Sequence, residues 1–151
     1  MNQRRIALIA HDNKKADLIR WCATHVEKLK QNQLFGTGTT ARLVTEKTGL
    51  SVQGYMSGPL GGDLQIGTKI VEGDIDILIF FSDPLTAQPH DPDVKALTRI
   101  AQLYDVPIAL NRATADFILE SRCFDEGYVR EIQHFSRERE EFHVDVMESS
   151  R

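Results

Sequence analysis

The chain has 151 residues, of which 41% are hydrophobic and 26% are charged, the composition of a globular protein large enough for a sizeable core. Its formal net charge is −4 and no basic face dominates the sequence, which argues against nucleic acid as the main partner. The apolar run at residues 6–10 is too short for a signal peptide or a membrane span, so we expect a cytoplasmic protein with no membrane partner.

Apolar runs alternate with amphipathic segments along the chain. Residues 6–10 predict a strand buried on both faces, and the helical spacing of apolar residues at 15–30 predicts one long helix. Thr114 is the predicted N-cap of the last helix. The other predicted elements are, in chain order, strand 34–35, helix 40–48, strand 51–56, helix 62–72, strand 75–81, helix 93–104, strand 106–110 and helix 114–120.

Strands that alternate with helices predict an α/β fold, a Rossmann-like parallel sheet with helices on both faces. We expect one domain over residues 1–151, with a core at about 6–124 and a charged tail at 128–151. The tail has few apolar residues, which is consistent with a solvated helix or with an arm packed on another subunit.

Polar clusters follow each of the five predicted strands. In a parallel sheet, ligands bind beyond the carboxyl ends of the strands, where the strand order reverses. We therefore expect five loops to converge on one site at that edge. The clusters are residues 11–12, 37–40, 57–63, 83–93 and 111–116.

Two of these clusters combine glycines with hydroxyl residues just before a helix, an arrangement that binds phosphate at a helix N-terminus. A lysine in the first turn of the first helix is unfavourable unless an anion lies nearby. Each feature alone has an ordinary explanation, a turn or a solvated lysine, but together they predict a phosphate site. Its candidate residues are Lys15, Thr37, Gly38, Thr39, Thr40, Ser57 and Gly58. The spacing matches neither a Walker A loop nor a dinucleotide fingerprint, so no nucleotide cofactor is expected.

Three carboxylates, those of Asp63, Asp83 and Asp93, lie on three of the predicted loops or helix starts. Asp63 and Asp93 also suit a first helical turn, and Asp83 suits a turn that ends a strand. A carboxylate beside a phosphate site is repelled by its ligand, however. Its presence there indicates proton transfer to or from a phosphorylated substrate.

Two histidines, His11 and His90, fall on the same predicted edge. His90 lies between two prolines and is a candidate donor to a developing enolate oxygen. His11 has either a catalytic role or a structural one, orienting the neighbouring carboxylates. The other histidines, at 25, 134 and 143, are predicted at the surface, and the cysteines are predicted to be free thiols. No His, Cys, Asp or Glu spacing indicates a metal.

Together these motifs closely resemble the methylglyoxal synthase family over roughly residues 6–124. The segments that carry the resemblance are residues 10–12, 37–40, 57–63, 83–85, 89–97 and 111–116. The resemblance implies a metal-free lyase that converts dihydroxyacetone phosphate to methylglyoxal and inorganic phosphate through an enediolate. It also implies a homohexamer that phosphate, the product, inhibits.

The resemblance further implies a role for each candidate residue. Asp63 matches the general base, and His90 matches the group that polarises the substrate carbonyl. Asp93 and His11 match supporting acid or base positions, Asp83 matches a carboxylate near the site, and the phosphate residues match a cradle. The family's C-terminal arginine falls at Phe142 here, so we expect Arg137 or Arg139 to replace it or the contact to be absent.

Two alternatives have the same fold. Similar domains bind small effectors within larger enzymes such as carbamoyl phosphate synthetase, but a pure binding module has no use for Asp63, His90 and Asp93 together. A phosphosugar isomerase would use the same base and the same cradle. The sequence does not give the phosphate orientation that separates isomerase from lyase.

Overall fold

A computed structural model describes residues 3–87 and 91–132 of the chain. Its framework is an all-parallel sheet of five strands in the order β3-β2-β1-β4-β5. The strands are β1 (Arg5–Ala10), β2 (Gln33–Thr37), β3 (Val52–Tyr55), β4 (Ile77–Phe81) and β5 (Ile108–Ala109). The order reverses between β1 and β4, because the chain moves outward from β1 to β3 and then returns to the other side of β1.

Helices connect the strands and cover both faces of the sheet. They are α1 (Lys15–Thr24), α2 (Val26–Leu29), α3 (Gly38–Thr48), α4 (Gly62–Val71), α5 (Asp91–Leu103), α6 (Arg112–Glu120) and α7 (Arg122–Glu126). Single 3-10 turns, Asp12–Lys14 and Gly58–Leu60, precede α1 and α4. Within the described ranges no helix has the length and hydrophobicity needed to cross a bilayer.

The two central strands supply both halves of the hydrophobic core. In β1, Ile6 and Leu8 pack with α1 and α3 on one face, whereas Ala7 and Ile9 pack with α4 and α5 on the other. Because successive side chains of a strand point to opposite faces, a continuous apolar run is what a strand covered on both sides requires. The predicted α/β fold, a parallel sheet between two layers of helices, is confirmed.

The predicted helix at residues 15–30 is wrong in one respect, because the structure divides it at His25. The backbone there has φ −111° and ψ 23°, outside the α-helical range. Trp21 Nε1 donates to Asp116 Oδ1 at 2.8 Å, and His25 Nε2 lies 3.2 Å from the same oxygen. His25 is therefore half-buried against α6, and its predicted surface position is also wrong.

The start of α6 differs from the prediction as well. Asn111, and not Thr114, is the N-cap, and its side-chain oxygen accepts hydrogen bonds from the Thr114 N–H and Thr114 Oγ1, both at 3.0 Å. The sequence pattern did not predict α7 (Arg122–Glu126). Its N-cap is Ser121, and it buries Phe124.

A candidate active site at the carboxyl edge of the sheet

A cavity of about 280 Å³ lies beyond the carboxyl ends of β1, β2 and β3. Most of the residues that the sequence predicts for the site line it. They are His11, Lys15, Thr37, Thr39, Thr40, Ser57, Gly58 and Asp63. The structure thus brings the predicted phosphate residues and one predicted base into a single space.

One wall of the cavity is the N-terminus of α3. The side chain of its N-cap, Thr37, makes no capping hydrogen bond, and the Gly38 N–H donates to Met56 O at 3.2 Å. The N–H groups of Thr39 and Thr40 have no acceptor inside the helix because they belong to its first turn. Within the described part of the chain, the buried Thr40 Oγ1 also lacks a hydrogen-bond partner. Such a concentration of donors, at the positive end of a helix, suits an anion.

The absence of a side chain at Gly38 allows the first turn of α3 to form this wall of the cavity. A Cβ atom at this position would lie 2.8 Å from Tyr55 O, closer than side chains approach a carbonyl. Glycine therefore lets the first turn of α3 pack directly against the end of β3. Gly38 itself contributes the close approach of the backbone and does not line the cavity.

Lys15 supplies a cation to the same cavity. Its Nζ donates to Ala10 O at 3.0 Å and to Asp12 Oδ1 at 2.7 Å, and the side chain is 17% exposed. An ammonium group has three N–H donors, and these contacts use two of them. The lysine is therefore held at a fixed place with a donor left for an anionic ligand.

Asp63 lies in the first turn of α4 and is fully buried. The tight turn before it is closed by the Gly62 N–H, which donates to Ser57 O at 2.9 Å. A buried carboxylate is costly unless its surroundings compensate the charge, and the N-terminus of α4 does so in part. The result is a fully buried carboxylate in the same cavity as the N-terminus of α3.

His11 and Asp83 are linked where β1 and β4 end. The Asp83 N–H donates to His11 Nδ1 at 2.9 Å, and the His11 ring packs edge-on against Phe80. Hydrogen bonds from the Asn13 side chain and from the Leu85 N–H hold the pKa of the Asp83 carboxyl below its usual value. Asp83 therefore stays an anion, and it does not line the cavity.

The remaining predicted site residues are Asp93, His90, Arg137 and Arg139. Asp93 is half-buried in the first turn of α5, which packs on α4, and it is not part of the cavity wall. His90 lies outside the described residues, as do Arg137 and Arg139. Among the described residues, no group of three or more His, Cys, Asp or Glu side chains is arranged to hold a metal ion.

The five loops do not all meet in one place, contrary to the expectation from the sequence. Asn111, Arg112 and Asp116, from the loop and helix after β5, line a second cavity together with Trp21 and His25. The reason is the strand order, because β5 lies beyond β4, on the opposite side of β1 from β2 and β3.

Comparison with known proteins places the chain in a family. A family model described as "MGS-like domain" matches residues 17–110. A protein of Leptospira interrogans named methylglyoxal synthase is 63% identical over 125 residues, which span 83% of this chain and 84% of that protein. The chain belongs to the methylglyoxal synthase family.

Two further members of the methylglyoxal synthase family match this chain over most of its length. The protein of that name from Clostridium acetobutylicum is 58% identical over 131 residues, covering 87% of this chain and 90% of the relative. The crystal structure of methylglyoxal synthase from Elizabethkingia anophelis superposes with a TM-score of 0.83 at 50% identity and covers 88% of both chains. The resemblance drawn from the motifs is thus confirmed. An enzyme of this family is favoured over a regulatory module.

Proposed function

We propose that this chain converts dihydroxyacetone phosphate to methylglyoxal and inorganic phosphate through an enediolate. The observation that supports this most strongly is the pairing of a buried carboxylate with an anion-binding helix terminus in one cavity. A substrate with a phosphate at one end and an acidic C–H bond near the other would match both features.

Asp63 is the general base in this proposal. It takes a proton from the carbon next to the substrate carbonyl while donors stabilise the charge that develops on the carbonyl oxygen. His90 supplies such a donor, as the family resemblance implies, and His11 lines the same cavity as Asp63. Asp93 has a supporting role from the neighbouring helix.

The phosphate cradle decides what happens to the enediolate. The intermediate either regains a proton, which gives an isomerase, or expels phosphate, which gives a lyase. Expulsion requires the C–O bond to the phosphate to stand roughly perpendicular to the enediolate plane. Three groups of donors fix that orientation: the first turn of α3, Lys15, and residues 57–58 before α4.

The direct test is to incubate the protein with dihydroxyacetone phosphate and measure products. We expect methylglyoxal and inorganic phosphate in equal amounts, with the same rate after treatment with EDTA, because no step of the proposed mechanism uses a metal. Formation of glyceraldehyde 3-phosphate without phosphate release would favour the isomerase. Loss of activity in EDTA and its recovery with a divalent ion would contradict the metal-free mechanism.

The phosphate cradle is tested by binding. Phosphate and phosphoglycolate, a planar mimic of the enediolate, should raise the melting temperature of the wild type by mass action. Thr40→Val and Lys15→Met should weaken this binding by roughly tenfold or more, because each removes a hydrogen bond to a charged ligand. Thr40→Val should leave the melting temperature of the free protein unchanged, since its hydroxyl has no partner among the described residues.

The matched control is Lys30→Met, which removes an exposed lysine paired with Glu27 at the far end of α2. It should leave the stabilisation by phosphate intact. Equal stabilisation of the wild type, Thr40→Val and Lys15→Met would show that the phosphate binds elsewhere.

We also propose, from the family resemblance, that the chain forms a single domain that assembles as a homohexamer in the cytoplasm, and that phosphate inhibits it. The tail at residues 128–151 would lie at or near an interface between subunits, with Arg137 or Arg139 reaching a neighbouring phosphate site if that contact exists.

A further inference from the structure

We infer that Asn13 is a positioning residue that keeps His11 as a neutral donor through its Nε2–H, so that His11 does not act as a base. The inference deepens the proposed function, since it assigns a role within the same cavity. It rests on three hydrogen bonds that join the segment after β1 to the last residue of β4 and to Asp83 beyond it.

One hydrogen bond determines which nitrogen of the His11 ring carries the proton. Nδ1 lies 2.9 Å from the Asp83 nitrogen and accepts its N–H. A backbone N–H is always a donor, so Nδ1 must present its lone pair, and the hydrogen of the neutral ring is then on Nε2. Nε2 is buried, and the ring lines the cavity beside Asp63. A nitrogen that already carries a hydrogen donates to a substrate oxygen and cannot take a proton from carbon.

The position of the Asp83 N–H depends on the contacts around the ends of β1 and β4. The His11 N–H donates to Phe81 O at 3.2 Å, which extends the pairing of β1 with β4 by one residue. Beyond it, the Asp83 carboxylate accepts the Leu85 N–H at 3.0 Å, a local turn that shapes the loop but does not tie it to β1.

Asn13 connects the loop after β4 to the segment after β1. Its Nδ2 donates to Asp83 Oδ2 at 2.9 Å, across 70 positions of the chain. Asn13 is two residues after His11, and Asp83 is two residues after Phe81. The Asn13–Asp83 bond therefore completes a short ring of contacts around the His11 imidazole. Hydrogen bonding keeps the pKa of the Asp83 carboxyl low, so this acceptor remains ionised at neutral pH. Asp83 accordingly acts by position and not as a base.

The test reads the His11 ring directly by nitrogen-15 NMR of histidine-labelled protein, with the His11 signals assigned from a His11→Gln variant. We expect the wild type to show a neutral ring protonated at Nε2 alone. Asn13→Leu and Asn13→Asp, which remove the donor at an exposed position, should show a second form protonated at Nδ1. Wild-type protein with Nδ1–H, or variants with an unchanged ring, would overturn the inference.

Kinetics give an independent measurement. Both Asn13 variants should lower kcat by roughly tenfold, less than the 10²-fold or greater loss that follows removal of a catalytic donor itself, with KM nearly unchanged. The control is Gln31→Leu, which removes an exposed amide hydrogen bond to Glu27 O at 3.0 Å, at the opposite edge of the sheet. Gln31→Leu should change neither the NMR signals of the His11 ring nor the kinetic constants. Because the NMR measurement needs no turnover, it separates a failure of this inference from a failure of the proposed reaction.

Discussion

Asp63→Asn should lower kcat by about 10²–10⁴-fold, the usual contribution of a positioned general base. The amide keeps the size and much of the hydrogen-bonding capacity of the carboxylate but has no basicity. Phosphoglycolate binding should change much less, because the proposed phosphate cradle is formed by α3 and Lys15 and does not include Asp63. Steady-state kinetics and the shift in melting temperature on ligand addition measure the two effects separately.

The matched control is Asp74→Asn, which neutralises a half-exposed carboxylate before β4, at the amino edge of the sheet. Its kcat should remain within about twofold of the wild type, as for most surface substitutions away from a site. If Asp63→Asn retained wild-type kcat while it folded normally, the buried carboxylate would have no part in the proton transfer.

Gly62→Ala should be the most damaging conservative substitution in the site. A Cβ at residue 62 would lie 1.8 Å from Met56 O and 2.9 Å from Ser57 O, so the backbone itself must move. Met56 O also accepts the Gly38 N–H, and the shift would therefore disturb the starts of both α3 and α4. We expect a loss of more than about 3 kcal/mol in the free energy of unfolding, among the larger effects of single substitutions.

Gly62→Ala should also lower the activity, because Asp63 follows Gly62 directly. A displacement of a catalytic group by about 1 Å costs on the order of 10²-fold in rate. Gly67→Ala is the control within the same helix. Its Cβ would make ordinary contacts with Leu97 and Ile100 at 3.8 and 3.9 Å. Alanine is the better helix former, so this variant should gain up to about 1 kcal/mol and keep its activity. Equal stability of the two variants in denaturant unfolding would contradict the account of Gly62.

Local patterns were enough to predict the framework. The apolar runs that became β1 and β4 are typical of strands covered on both faces, and the glycines at 61 and 62 marked the start of α4. Once the sheet was known to be parallel, the loops after β1, β2 and β3 had to lie at one edge. That is why Lys15, Thr40 and Asp63 were correctly expected to lie together.

The features that the sequence did not reveal depend on distant contacts. At His25, where the helix breaks, Asp116 of α6 lies within hydrogen-bond distance of both Trp21 and His25, and no local pattern marks this contact. The hydrogen bond between Asn13 and Asp83 joins residues 70 positions apart, and no local pattern marks such a pair. The separation of the β5 loop from the main cavity follows from the strand order, which periodicity alone does not determine.

Solvent deuterium exchange into dihydroxyacetone phosphate tests the central claim, that Asp63 removes the proton from carbon. The wild type should exchange the carbon-bound hydrogen, and Asp63→Asn should lose this exchange along with phosphate release. Asp93→Asn should still exchange, because its carboxylate lies outside the cavity wall. Near wild-type exchange by Asp63→Asn, together with its loss in Asp93→Asn, would contradict the account and identify Asp93 as the base.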